Sequence, residues 1–224
     1  MGKKFVNNIN FNVRFFPFPP GEPECSLPET PVPNFKGVCA VVGTHPCWEK
    51  DLSKLRSEYG EVYICGVNEA PRLLACDHLA TAHGGKIDDF IQLHRTYQPD
   101  SPLPTIFIRD NNEAPEEIEG VDWYKIPVRT MAGSAPFAAG AMALLGYEKV
   151  VMCGCPMDGG GGYAFNDTHG STRNDPRIGY ENSEHAMIKS WHMCMKLFKE
   201  QFPDVSKRIK SMSGKTKEIY GGIE

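Results

Sequence analysis

A chain of 224 residues, 41% hydrophobic and 23% charged, has the make-up of a water-soluble globular protein with one substantial core. A formal net charge of −4 argues against a surface dedicated to bulk DNA or RNA. No apolar run approaches the roughly 20 residues that a membrane-spanning helix needs.

The N-terminal MGKKFVNNINF carries two lysines but no apolar stretch, so it does not read as a secretory signal. Val6 stands where a myristoylation signal has Ser or Thr. The eight cysteines are therefore expected as reduced thiols in a cytoplasmic protein. Cys39, Cys65 and Cys153 lie in apolar runs, where cysteine behaves as a small hydrophobe. Cys153 and Cys155 form C-x-C rather than C-x-x-C, and no second pair stands at zinc-finger spacing.

Residues 1–36 are expected to form an irregular arm. Its stretch FFPFPPGEPECSLPETPVPN is crowded with proline, which locks φ and removes a donor, so an extended path over the body is predicted. Its phenylalanines could anchor the arm or help a homo-oligomer contact. The folded body, 37–224, opens with a buried strand over Val38–Val42 that ends in Gly43-Thr44-His45-Pro46. Pro46 suits the first turn of a helix whose face is Trp48, Leu52, Leu55 and Tyr59. Strands are predicted over Glu61–Val67, Asp77–Ala82, Thr105–Ile108, Trp123–Val128 and Lys149–Cys153, with a helix over Ile87–Thr96. A helix of small residues follows Gly133-Ser134. Glu181–Phe202 carries Met187, Trp191, Met195, Phe198 and Phe202 on one face, and Pro203 stops it. Arg208–Met212 suits an edge strand.

Strands alternating with helices, without hairpin signals, predict a doubly wound, mostly parallel α/β sheet with right-handed crossovers. Polar or glycine-bearing residues fall repeatedly just after a strand: Thr44, Asn68, His83, Ser134 and Asp158. In an open parallel sheet such positions converge on one crevice, where ligands bind.

Gly43-Thr44-His45-Pro46 can present backbone N–H groups to a phosphate, or serve only as a tight turn; it is neither G-x-G-x-x-G nor a Walker loop. Ser134 can cap its helix or bind a ligand oxygen. The Gly159–Gly162 run has backbone freedom to close over a ligand, or forms a solvated surface loop. Tyr163, Phe165, His169, Arg173, Arg177, Tyr180 and His185 follow it. A phenol and guanidinium groups suit a departing phosphate, and a histidine suits an acceptor proton. Asp77, His78 and His83 could imitate a metal cluster, but strand alternation sets Asp77 and His78 on opposite faces.

In short islands these motifs resemble the bacterial sialyltransferases that decorate lipooligosaccharide. SAPFAAGAMALLGYEKVVMCG, from Ser134, is similar to that family's serine-led helix, L-G-Y and strand ending in glycine. GGGGYAFND resembles its G-S-S-Y-A-F-D run, GTHP its G-x-G-P-S turn, and GVNEA its C-N-Q/R segment. The resemblance implies a Rossmann-like glycosyltransferase that binds a nucleotide sugar, a CMP-sugar first of all, with no required metal, and inverts the anomeric centre by attack of an acceptor hydroxyl. It implies that Gly43 and Thr44 approach the nucleotide, Asn68 its ribose or phosphate side, and Ser134 the nucleotide or sugar. Tyr163 would donate to the leaving phosphate. Tyr180 stands where the family has its catalytic histidine, and His185 one turn beyond, or His169, would replace it as base. The family's second phosphate-binding tyrosine is replaced by Pro156-Met157-Asp158. The islands also resemble motility-associated proteins related to archaeal hydroxymethylpterin pyrophosphokinases. There the crevice holds a nucleoside triphosphate with Mg2+, and Asp158 would be a metal ligand. A non-catalytic nucleotide-binding protein of this fold is the third expectation.

Overall fold

The computed structural model describes residues 4–5, 34–109, 120–126, 128, 131, 133–157 and 180–223, with backbone alone at 4–5, 180–187 and 190. One eight-stranded sheet runs through them: β1 (Lys4–Phe5), β2 (Val38–Val42), β3 (Tyr63–Val67), β4 (His78–Thr81), β5 (Thr105–Arg109), β6 (Trp123–Ile126), β7 (Lys149–Cys153) and β8 (Ile209–Ser211). The order across the sheet is β1-β6-β5-β4-β3-β2-β7-β8, and every pairing is parallel. The helices are α1 (Trp48–Tyr59), α2 (Ile87–Tyr97), α3 (Ser134–Leu144), α4 (Tyr180–Gln201), α5 (Pro203–Ser206) and α6 (Gly214–Tyr220). This is the expected doubly wound, Rossmann-like α/β fold.

Alternation along the strands builds the two faces. Ala40, Val42, Ile64, Val151 and Cys153 pack with Leu52 and Leu55 of α1. Farther along that layer, Leu79, Ile106 and Ile108 meet Ile87, Phe90 and Ile91 of α2. Cys39, Val41, Cys65, Val67, Phe107, Val150 and Met152 turn the other way, onto α3, α4 and α6. On α4, Trp191, Met195 and Phe198 are buried as their spacing predicts, and Cys194 joins them.

From β2 the chain adds strands steadily toward one edge, as far as β6. It then returns, and β7 pairs on the opposite side of β2. The direction of winding reverses between β2 and β7, and in such sheets the crevice lies at the carboxyl ends beside that reversal. Register keeps those ends together: Val42 pairs with both Gly66 and Cys153, Val67 with Ala80, and Thr81 with Ile108. β8 is an edge strand, as expected. The other edge is β1, which lies inside the segment expected to be irregular and pairs with β6 through Lys4 and Phe5. A two-residue strand leaves no period to detect. The proline stretch up to Pro33 lies outside the described residues.

Candidate functional site

At the carboxyl ends of β3 and β4 a chain of hydrogen bonds ties together residues that the strand-end pattern singled out. Asn68, the first residue after β3, takes φ 53°, a left-handed conformation that asparagine tolerates better than most residues. Its Oδ1 accepts the hydroxyl proton of fully buried Thr81 at 2.9 Å. Thr81 Oγ1 in turn accepts the His83 N–H at 2.9 Å, so one hydroxyl fixes both loops. The preceding N–H, that of Ala82, donates to Ser134 Oγ at 3.0 Å. Ser134 makes no capping bond; it fastens the start of α3 to the end of β4. Gly133, at φ 82°, takes the cap position, a left-handed turn suited to glycine. The N-terminus of α3, with its partial positive charge, is thereby held at the crevice.

Cationic side chains gather at the same rim. The ring of His83 is held below its ordinary pKa, first by burial of part of the ring and then by the charges of Lys86 and Arg109. Lys86 belongs to the short 3-10 turn Gly84–Lys86 that leads into α2, and Arg109 ends β5. Arg109 donates from one terminal nitrogen to the Met131 carbonyl at 3.4 Å, and its buried Nε has no partner among the described residues. Lys86 and Arg109, whose charges bear on His83, suit this rim to a phosphate or another anion. Among the described residues, no group of three His, Cys, Asp or Glu side chains could hold a metal ion.

At the reversal itself the β2 and β7 ends are sewn shut. Gly43 N–H donates to the Cys153 carbonyl at 2.8 Å, and His45 N–H to the Gly154 carbonyl at 3.2 Å. A Cβ on Gly43 would lie 2.5 Å from Cys155 Sγ and 2.6 Å from the Gly154 oxygen. Close packing between the two loops thus accounts for glycine at this position. Below them, Asp51 of α1 is buried, and its Oδ2 accepts the Gly154 N–H at 3.0 Å and the Ser213 hydroxyl at 2.8 Å.

Thr44, Asn68, His83 and Ser134 therefore share the carboxyl edge, with Asn68, His83 and Ser134 in one cluster and Thr44 half-buried in the loop after β2. Tyr163 and Asp158 lie outside the described residues, as do His169, Arg173 and Arg177. Tyr180 and His185 are placed on the first turns of α4 by backbone alone. Asp77 and His78 do not join a metal cluster: Asp77 Oδ2 accepts the Ile64 N–H at 2.8 Å, while His78 pairs with Tyr147 at the opposite, amino end of the sheet. The pattern passed over Thr81, Lys86, Arg109 and Asp51. Arg109 was within its reach, because the predicted strand stops at Ile108 and Arg109 is the next residue. Compared with family models, curated proteins and solved structures, the chain finds no match in any of the three.

Proposed function

We propose that this chain is a glycosyltransferase working in the cytoplasm, which moves a sugar from a nucleotide donor to an acceptor hydroxyl. The observation that carries the reading is the hydrogen-bonded rim at the carboxyl ends of β3 and β4, where Asn68, Thr81 and His83 are tied together, Ala82 is bonded to Ser134 at the start of α3, and Arg109 reaches the Met131 carbonyl. The resemblance of the Ser134 and Asn68 segments to nucleotide-sugar enzymes adds the sugar. The donor's phosphate would rest against the cationic rim, with the nucleoside reaching toward Asn68. The acceptor oxygen attacks the anomeric carbon from the face opposite the phosphate. The carbon–oxygen bond to phosphate breaks, its electron pair stays on the phosphate, and the anomeric configuration inverts. Lys86 and Arg109 stabilise the charge that grows on the leaving oxygen. In this reading the Tyr163 hydroxyl donates a hydrogen bond to the same oxygen, and His185 is the base that takes the acceptor's proton, with Tyr180 at the position of the resembled family's catalytic histidine. No step requires a metal.

The test is a thermal-shift series with CMP, CDP, UDP, GDP, ADP and ATP, each with Mg2+ and with chelator, on the natural chain and on Arg109→Ala. A nucleotide at about a hundred times its dissociation constant should stabilise the fold by about 2.7 kcal/mol. Stabilisation by CMP or another mono- or diphosphate, indifferent to metal and lost in Arg109→Ala, supports glycosyl transfer and names the donor class. Stabilisation by ATP with Mg2+ alone replaces it with diphosphate transfer. No shift with any nucleotide overturns both.

A further inference from the structure

Trp191 carries a polar group that core packing does not explain. It stands on the buried face of α4 with Met195 and Phe198, is only 7% exposed, and meets the Tyr220 ring edge-on at 6.5 Å between centroids. Its indole nitrogen makes no hydrogen bond among the described residues. A buried tryptophan N–H ordinarily finds an acceptor. Nε1 lies at the Gly133 turn that caps α3: a Cβ built on Gly133 would stand 3.5 Å from it. With glycine at 133, no side chain of that residue comes between the indole edge and the start of the helix.

The start of α3 has donors of its own to satisfy. The Phe137 N–H makes the first bond of the helical ladder, to the Gly133 carbonyl at 3.1 Å. Pro136 brings no N–H, so Ser134 and Ala135, both buried, hold N–H groups that no carbonyl within α3 accepts. Ser134 Oγ accepts from Ala82 and makes no capping bond. Arg109 adds charge close by: it donates to the carbonyl of Met131, two residues before Gly133, and its buried Nε has no partner among the described residues. An indole N–H, backbone N–H groups and a guanidinium can only donate. The ligand that matches them presents several acceptor oxygens and negative charge.

We propose that Trp191 is a phosphate-binding residue of the crevice, its Nε1–H donating to one oxygen of a phosphate whose other oxygens meet the Ser134 and Ala135 N–H groups. The inference rests on the reading of this crevice as the seat of a donor's phosphate, and it sets that phosphate at the Gly133 turn, between α3 and α4. Phenylalanine would fill the core face of α4 as well but would leave the phosphate one donor short. Trp191 neither gains nor loses a proton here. It acts by binding and orientation, and it makes α4 part of the site.

The experiment titrates the full chain, labelled with 15N-tryptophan, with pyrophosphate. The chain has three tryptophans, so three indole N–H signals are followed. Trp191→Phe identifies one of them; should that variant not fold, Trp48→Phe and Trp123→Phe identify it by elimination. The Trp191 signal should move downfield to saturation while those of Trp48 and Trp123 stay in place. By calorimetry, Trp191→Phe should bind pyrophosphate about tenfold more weakly, the loss of one hydrogen bond to a charged group. A Trp191 signal that stays still at every concentration, or a folded Trp191→Phe that binds as tightly as the natural chain, overturns the proposal. If Arg109→Ala alone loses pyrophosphate, the donor-phosphate reading stands without Trp191. A moving Trp191 signal in a chain that no nucleotide stabilises keeps the phosphate seat and removes that reading.

Discussion

Asp51 illustrates how much one side chain can hold. It sits in the first turn of α1, where an acid suits the helix end, and its Oδ2 gathers Gly154 from 103 residues away and Ser213 from 162 residues away. Three connections of the sheet, those after β2, β7 and β8, thus meet on one buried atom. Asp51→Ala would leave the Gly154 N–H and the Ser213 hydroxyl without an acceptor, each costing about 1–3 kcal/mol. We expect a total loss of about 3 kcal/mol in urea unfolding. Asp51→Asn, which retains an acceptor oxygen, should lose about 1 kcal/mol. Equal losses in the two variants would mean that the aspartate matters for its charge or volume rather than for these bonds. Nothing in WEKDLSKL marks this residue, because both donors come from distant segments. Local spacing reads it only as part of a helix.

At the scale of an element, α3 decides how the crevice is set. Every residue from Ser134 to Ala143 is buried, because the helix lies across the sheet and under α4. Its small residues were legible as a close-packing signal, and the structure shows the contact they permit. At Gly140 a Cβ would lie 3.1 Å from Val128 Cγ1, 3.2 Å from Met131 Cγ and 3.4 Å from Phe198 Cε2. Replacing glycine by alanine in a helix gains about 1 kcal/mol of propensity, against about 1–3 kcal/mol for overpacking. Gly140→Ala should therefore fall near zero or be mildly destabilising. Gly140→Val, which adds two further carbons at the same point, should cost about 2–3 kcal/mol in denaturant melts. A neutral Gly140→Val would show that α3 has room to move away from α4. Ser134 shows the limit of reading elements singly. Sequence offers it as a cap or a ligand contact, and only the fold reveals that its oxygen accepts the Ala82 N–H.

Across the whole molecule, the amino end of the sheet is closed by a buried aromatic group. His78 Nε2 and the Tyr147 hydroxyl are 2.7 Å apart, and Phe35 stacks on Tyr147 at 5.1 Å between centroids and against His78 at 4.7 Å. Phe35 also donates its N–H to the Leu145 carbonyl at 2.8 Å, which fastens the chain just before β2 to the end of α3. Burial lowers the His78 pKa to about 4, the nearby Asp77 charge opposing the shift. The unfolded chain takes up that proton near pH 6.5, while the native state refuses it until about 4. Stability is therefore complete above about 6.5 and falls as pH drops toward 4, by about 3 kcal/mol from this group. His78→Gln can still bond Tyr147 but does not titrate. Its unfolding free energy should fall less steeply over that window. Parallel curves for the two proteins would remove His78 as a source of acid sensitivity.

Periodicity and turn chemistry alone determined the parallel α/β architecture, both ends of β7, the edge position of β8 and the buried face of α4. Each of these depends on contacts that repeat along one segment, and an apolar stripe or a strand-end glycine is visible without its partner. Tertiary structure alone decided that β7 returns to the far side of β2, that Asn68, Thr81, His83 and Ser134 form one hydrogen-bonded rim, and that Lys86 and Arg109 bring charge to it. It also decided that Gly43 serves loop packing and that His45 and Cys47 face Asp51 and Ser213. Such arrangements depend on pair distances between segments far apart in the chain, which local pattern does not encode. They become defined only when the sheet fixes which strand ends lie side by side.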